Sequence, residues 1–183
     1  MSVPGVDGRP LNPGYERIRD YLKAQGAKLE PPVIIDKVRA AMADLRIAAA
    51  RVPPARFAER PAPEEWSGNE VMAHVVDAGR FFGGAIVAAL DGAPVPSPPR
   101  ERAPASDTRT AEAWLATLAS DRDALFARVA RAAPSERLDI TIEHFMFGPL
   151  NWRETLLFMR LHDLDHAGQL DKIATALTAT PLT

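Results

Sequence analysis

Residues 151–177 read NWRETLLFMRLHDLDHAGQLDKIATAL, and a single helical period runs through them from end to end. Asn151 followed three residues later by Glu154 has the form of a capping box, in which two side chains take up the orphan amides of a helix start. Beyond it, Trp152, Leu156, Met159, His162, His166, Leu170, Ile173 and Leu177 keep to one stripe, the spacing of an amphipathic helix. That stripe has to be buried, so the two histidines on it point inward with the apolar residues.

Towards the N-terminus the prolines, 17 of 183 residues, separate further helical blocks. Residues 138–147, LDITIEHFMF, alternate like a strand until Gly148-Pro149 breaks the pattern. A strand without a partner is unstable, so the expectation is an extended segment or at most a short ribbon. A helix from about Thr110 to Ala132 presents Trp114, Leu118, Leu125 and Val129 on one side, and Pro134 ends it. Residues 93–105, rich in proline, form a stiff extended crossover. Ser67 and Glu70 make a second capping box before a helix whose stripe is Val71, Val75, Ala78, Phe82, Ala85 and Ala89, closed by Asp91-Gly92.

Pro53, Pro54, Pro61 and Pro63 forbid regular structure between that helix and the one before it. From Val33 to about Val52, Ile34, Val38, Met42, Leu45 and Ala49 mark another amphipathic helix. Residues 31–183 thus predict an all-α four-helix bundle with a Pro-rich crossover and a short extended segment before the last helix. Residues 1–30 form an N-terminal extension, irregular over 1–14, with a short helix from Tyr15 to Gln25 that Gly26 stops.

Composition narrows the chemistry. With 22 Lys and Arg against 24 Asp and Glu, the net charge is −2, without the basic excess of a nucleic-acid binder. No run of about 18 apolar residues suggests a membrane span. The opening residues, MSVPGVDGRPLNPGY, lack the basic start and apolar core of a secretory signal, so a cytoplasmic protein is expected. The chain has no cysteine, which excludes disulfide scaffolds, cysteine-ligated zinc, iron–sulfur clusters and a thiol nucleophile of its own. Any metal has to be held by His, Asp or Glu.

Four histidines are present. His162 and His166, four apart on a helix, rise about 6 Å and lie one above the other, within reach of one ion. His74 lies one turn after Glu70, on or beside the stripe of the second capped helix. A lone inward histidine is commonly a satisfied core residue, but three on inward faces of two bundle helices suit a metal site built from facing side chains. Glu70 reads as a cap rather than a ligand, and His144 as a brace for the mouth of the bundle. Asp77, Asp163 and Asp165 are candidates to accept the second ring N–H of a liganding histidine; a solvated helix flank is the alternative.

The pattern Trp66-Ser67-x-x-Glu70-Val71-x-x-His74-x-x-Asp77, with Phe147-Gly148-Pro149-Leu150 and His162-x-x-x-His166-x-Gly168-Gln169 downstream, resembles the DinB/YfiT-like superfamily of metal-binding four-helix bundles. The likeness extends over about residues 35 to 177. It implies a metal site of His74, His162 and His166 and, for many members, a homodimer. It also implies one divalent ion, zinc, nickel, iron or manganese, and a link to transferases and isomerases that use bacillithiol, mycothiol or glutathione.

Neutral imidazoles leave coordination positions open, as a reactive site requires. One reading is therefore a thiol S-transferase acting on an electrophilic substrate, its thiol brought from solution because the chain has none. A second is metal-assisted hydrolysis, with Asp77, Glu143 or Asp165 as general base. A third is a metal-binding or stress-associated bundle without catalysis, and a fourth a metal-free core. Trp66, Phe81, His144, Phe147 and the crossover from Pro94 to Pro104 are the expected walls of any pocket.

Overall fold

The computed structural model describes residues 13–98 and 107–179. Among the described residues five α-helices run in the order α1 (Pro13–Lys28), α2 (Pro31–Arg51), α3 (Gly68–Asp91), α4 (Ala111–Val129) and α5 (Trp152–Ala179). Before α5 comes a ribbon of β1 (Ile142–His144) and β2 (Gly148–Leu150). Helix α2 packs on α4 and α5, and α3 on α4 and α5, which closes a four-helix bundle of α2 to α5; α1 lies against α5.

The capping residues act as the sequence suggests. Ser67 accepts the amide of Glu70 at 3.2 Å while the Glu70 carboxylate accepts the Ser67 amide at 2.8 Å. At the other end of α3, Gly92 closes the helix in the left-handed conformation, φ 71°, where a side chain would be strained. Asn151 accepts the amides of Arg153 and Glu154, and Glu154 accepts the Asn151 amide. Thr110 caps α4, which ends at Val129, a few residues short of the expected Ala132.

Three local expectations need correction. Helix α1 begins at Pro13 and passes through Gly26 to Lys28, so Gly26 does not stop it. Gly26 is where α1 meets α5: a Cβ there would lie 2.8 Å from Cγ of Glu154, a side chain pinned by its capping bond. Gly148-Pro149 does not break the extended segment but supplies its partner strand, pairing Ile142 with Leu150 and His144 with Gly148. Pro149 faces solvent on a two-stranded ribbon, where its missing N–H is tolerated. A single 3-10 turn, Pro54–Arg56, also interrupts the Pro-rich stretch after α2. Residues 93–98 of the crossover have no regular structure, and its remainder, with residues 1–12, lies outside the described residues.

Gly26→Ala is accordingly expected to lower stability by about 1–3 kcal/mol, although alanine is normally the better helix former. A lower urea midpoint with an unchanged slope would show it; a raised midpoint would contradict the close approach.

The core divides into two apolar clusters. One, around Leu22, Ile34, Phe82, Ile86, Leu125, Trp152 and Leu156, fills the ribbon end. The other, around Leu45, Val71, Met72, Trp114, Leu118, Leu170 and Ile173, fills the opposite end. Between them the same level of three helices carries polar side chains: His74 on α3, Arg122 on α4, and His162, Asp163 and His166 on α5. Helix α3 has an 18-residue window of mean hydropathy 1.3, half of it buried in the bundle, as expected of a helix that contributes to both clusters.

Candidate metal centre

Helix α3 presents His74 two turns beyond its Ser67 cap, and the middle of α5 presents His162 and His166 on successive turns. Their ligand atoms lie within 4.8 Å of one another, and the three ring centroids are 4.4 to 4.8 Å apart. Nε2 of His162 and Nε2 of His74 are 2.9 Å apart. Two imidazole nitrogens face each other in this way across one shared proton or as lone pairs converging on a cation. Tetrahedral ligands about 2.1 Å from a common ion are separated by about 3.4 Å, so a shared proton fits 2.9 Å as it stands and an ion fits with a separation of about half an ångström more.

Gln169 settles the tautomer of His166. Nδ1 of His166 lies 2.9 Å from Oε1 of Gln169; an amide oxygen only accepts, so Nδ1 donates and the lone pair is left on Nε2. The signal was present in the sequence as an i, i+3 pair on one helix. Trp66, in the loop before α3, walls the centre: its ring stacks on His166 at 6.5 Å and meets His74 edge-on at 5.5 Å.

Beneath the histidines lies a buried ion pair. Asp163 is 0% exposed and Arg122 is 2%; Nη2 of Arg122 donates to both carboxylate oxygens at 3.1 and 3.2 Å, and Nη1 approaches Sδ of Met159 at 3.1 Å. Burial pushes the Asp163 carboxyl up to about 6, with the guanidinium pulling the other way. Desolvation lowers Arg122 from its ordinary value. Oδ1 of Asp163 stands 4.0 Å from Nδ1 of His162, beyond hydrogen-bond range.

The remaining candidates separate cleanly. Glu70 is the cap that the sequence suggested, and it also pairs with Arg60, which with help from Ser67 and against the opposing effect of burial brings its carboxyl down to about 2. Asp77, Glu143 and Asp165 are exposed, and none belongs to the histidine group. Arg122, which completes the polar level, was not singled out in the sequence.

His144 lies outside the triad, at the ribbon end of the core. It is 1% exposed, and burial, with a smaller contribution from the charge of His162, lowers its imidazole to about 4. A folded-state value below the unfolded 6.5 means that the unfolded chain binds more protons between the two. The contribution of His144 to stability is then complete above pH 6.5 and lost as pH falls towards 4, on the order of 3 kcal/mol. In metal-free protein, the loss of stability between pH 6.5 and 4 should be visibly shallower for His144→Phe than for wild type in urea titrations; identical profiles would contradict the burial argument.

A bundle with a histidine triad projecting from two of its helices defines a class of protein, and the comparisons name the family. The model of the DinB superfamily matches residues 37–170, so the chain belongs to that superfamily. Among solved structures, the chain is similar to TT2238, a four-helix bundle protein, with 21% identity and a TM-score of 0.57, covering 82% of this chain and 99% of that one. It is also similar to the DinB-like protein YjoA of Bacillus subtilis, with 15% identity and a TM-score of 0.55, covering 82% and 95%. These likenesses show the fold. A search of curated proteins found no match.

Proposed function

We propose that the protein is a metal-dependent thiol S-transferase, in which His74, His162 and His166 hold one divalent ion and a low-molecular-weight thiol is the cosubstrate. The observation that carries this reading is the convergence of three imidazoles within 4.8 Å in a group to which no carboxylate belongs. Three neutral ligands leave the charge of the ion uncompensated and positions open for a substrate. A divalent ion held there supplies positive charge that favours the deprotonated form of an incoming thiol.

The protein's own groups serve that chemistry by position. Gln169 holds the His166 proton on Nδ1, Trp66 covers one flank of the triad, and the Arg122–Asp163 pair fixes the middle of α5 from below. Hydrolysis is the poorer fit. It requires a general base within hydrogen-bond reach of the attacking water, and Asp77, Glu143 and Asp165 all face solvent. The chain has no cysteine, so the thiol comes from solution.

The test uses tag-free protein loaded in turn with zinc, nickel, iron(II) or manganese. Each form is incubated with chlorodinitrobenzene or an epoxide and a panel of bacillithiol, mycothiol and glutathione. Metal-dependent consumption of one thiol is expected, lost on chelation and at background rate in His74→Ala. Consumption unaffected by His74→Ala, or none with any thiol, would instead leave a metal-binding bundle without this activity.

A further inference from the structure

The side chain least explained by the triad is His144. Its Nδ1 accepts the amide of Met146 at 3.2 Å, so the neutral ring carries its proton on Nε2. That Nε2 is buried and has no hydrogen-bond partner. The ring is boxed by phenylalanines. It stacks on Phe82 at 5.3 Å, Phe145 at 4.9 Å and Phe147 at 4.6 Å, and meets Phe158 at a steep angle at 4.3 Å. A ring face is at best a weak acceptor. A phenylalanine in the same box would avoid the cost of an orphaned donor, so the polar ring calls for an explanation beyond packing.

Its location supplies one. Phe158 stands between His144 and the triad, 5.6 Å from His162 between centroids. On the other side Phe145 is 61% exposed, so a column of rings runs from solvent to the histidine centre. The four contacting walls carry no charge, and burial holds the imidazole itself uncharged. An anion entering this box would lose its hydration without a countercharge from these walls, whereas a neutral oxygen on an apolar body would meet both the donor and the rings.

We propose that His144 is a ligand-binding residue whose Nε2–H donates to the neutral carbonyl oxygen of a flat, apolar molecule seated beside the triad. This names the class of electrophilic substrate for the transferase reading and rests on that reading for its place in the reaction. The hydrogen bond itself does not depend on an ion.

The test is NMR of protein labelled with 15N-histidine, metal-loaded and after chelation, titrated with benzamide and with fluorobenzene, which has a similar ring and no carbonyl. Benzamide should move the His144 Nε2–H resonance downfield, and fluorobenzene should not. Benzamide affinity should fall about tenfold in His144→Phe, the loss of one hydrogen bond. It should return to within about threefold of wild type in His144→Gln, whose amide N–H restores a donor. The proposal is overturned if benzamide leaves the wild-type resonance unmoved, including the case of a donor already held by a water. It is also overturned if His144→Phe binds benzamide as tightly as wild type. A benzamide response that persists in protein unable to bind metal or turn over thiol would sink the transferase reading and leave this one standing. Thiol turnover without a His144 response would do the reverse.

Discussion

Asp163→Leu should lower the stability of the folded protein by about 3–5 kcal/mol, among the largest effects of any single substitution in this bundle. The change removes the only carboxylate that, among the described residues, Arg122 meets through a hydrogen bond and leaves a guanidinium 2% exposed among apolar side chains. The loss is chiefly the desolvation of that uncompensated charge rather than the strength of the pair. The double variant Arg122→Met with Asp163→Leu should therefore recover most of the loss, since an apolar pair of similar volume carries no such penalty. Urea unfolding of the two single variants and the double variant gives the coupling directly. Additive losses in the double variant would show that the pair acts through packing alone.

The second large effect concerns the triad. Zinc at about one hundred times its dissociation constant should stabilise wild-type protein by about 2.7 kcal/mol, a rise in Tm of roughly 5–10 °C for a chain of this size. In His162→Ala that rise should disappear, because His162 supplies the nitrogen that faces His74 at 2.9 Å and the two remaining imidazoles cannot close the site. After chelation the variant and wild type should unfold at similar temperatures. A variant that keeps the full zinc-dependent rise would place the ion elsewhere.

Much of this was legible in the sequence because helical period reports which face a residue occupies. The stripe of α5 placed His162 and His166 inward, that of α3 placed His74 on or beside it, and the Ser67–Glu70 and Asn151–Glu154 boxes marked two helix starts. Period does not report how the heights of different helices match. That matching puts Arg122 opposite Asp163. In α4 the stripe passes from Leu118 to Leu125 with a gap of two turns; the position that fills it is Arg122, disguised by its neighbours Asp121 and Asp123. The passage of α1 through Gly26 was hidden for a related reason. A local stop signal was overridden by a tertiary contact in which Glu154 occupies the space a side chain would need. The ribbon partner was missed because Gly148-Pro149 reads as a breaker, whereas an exposed two-stranded ribbon accommodates both residues. His166 and Gln169 sat in plain view three residues apart, but only the 2.9 Å contact assigns the glutamine its task.

The most direct test of the account is X-ray absorption at the zinc edge on tag-free protein loaded with one equivalent of zinc. A shell with three imidazole nitrogens at about 2.0–2.1 Å is expected, reduced by one in His166→Ala. A shell of oxygen donors with one imidazole or none, unchanged by that substitution, would contradict a metal centre formed by His74, His162 and His166.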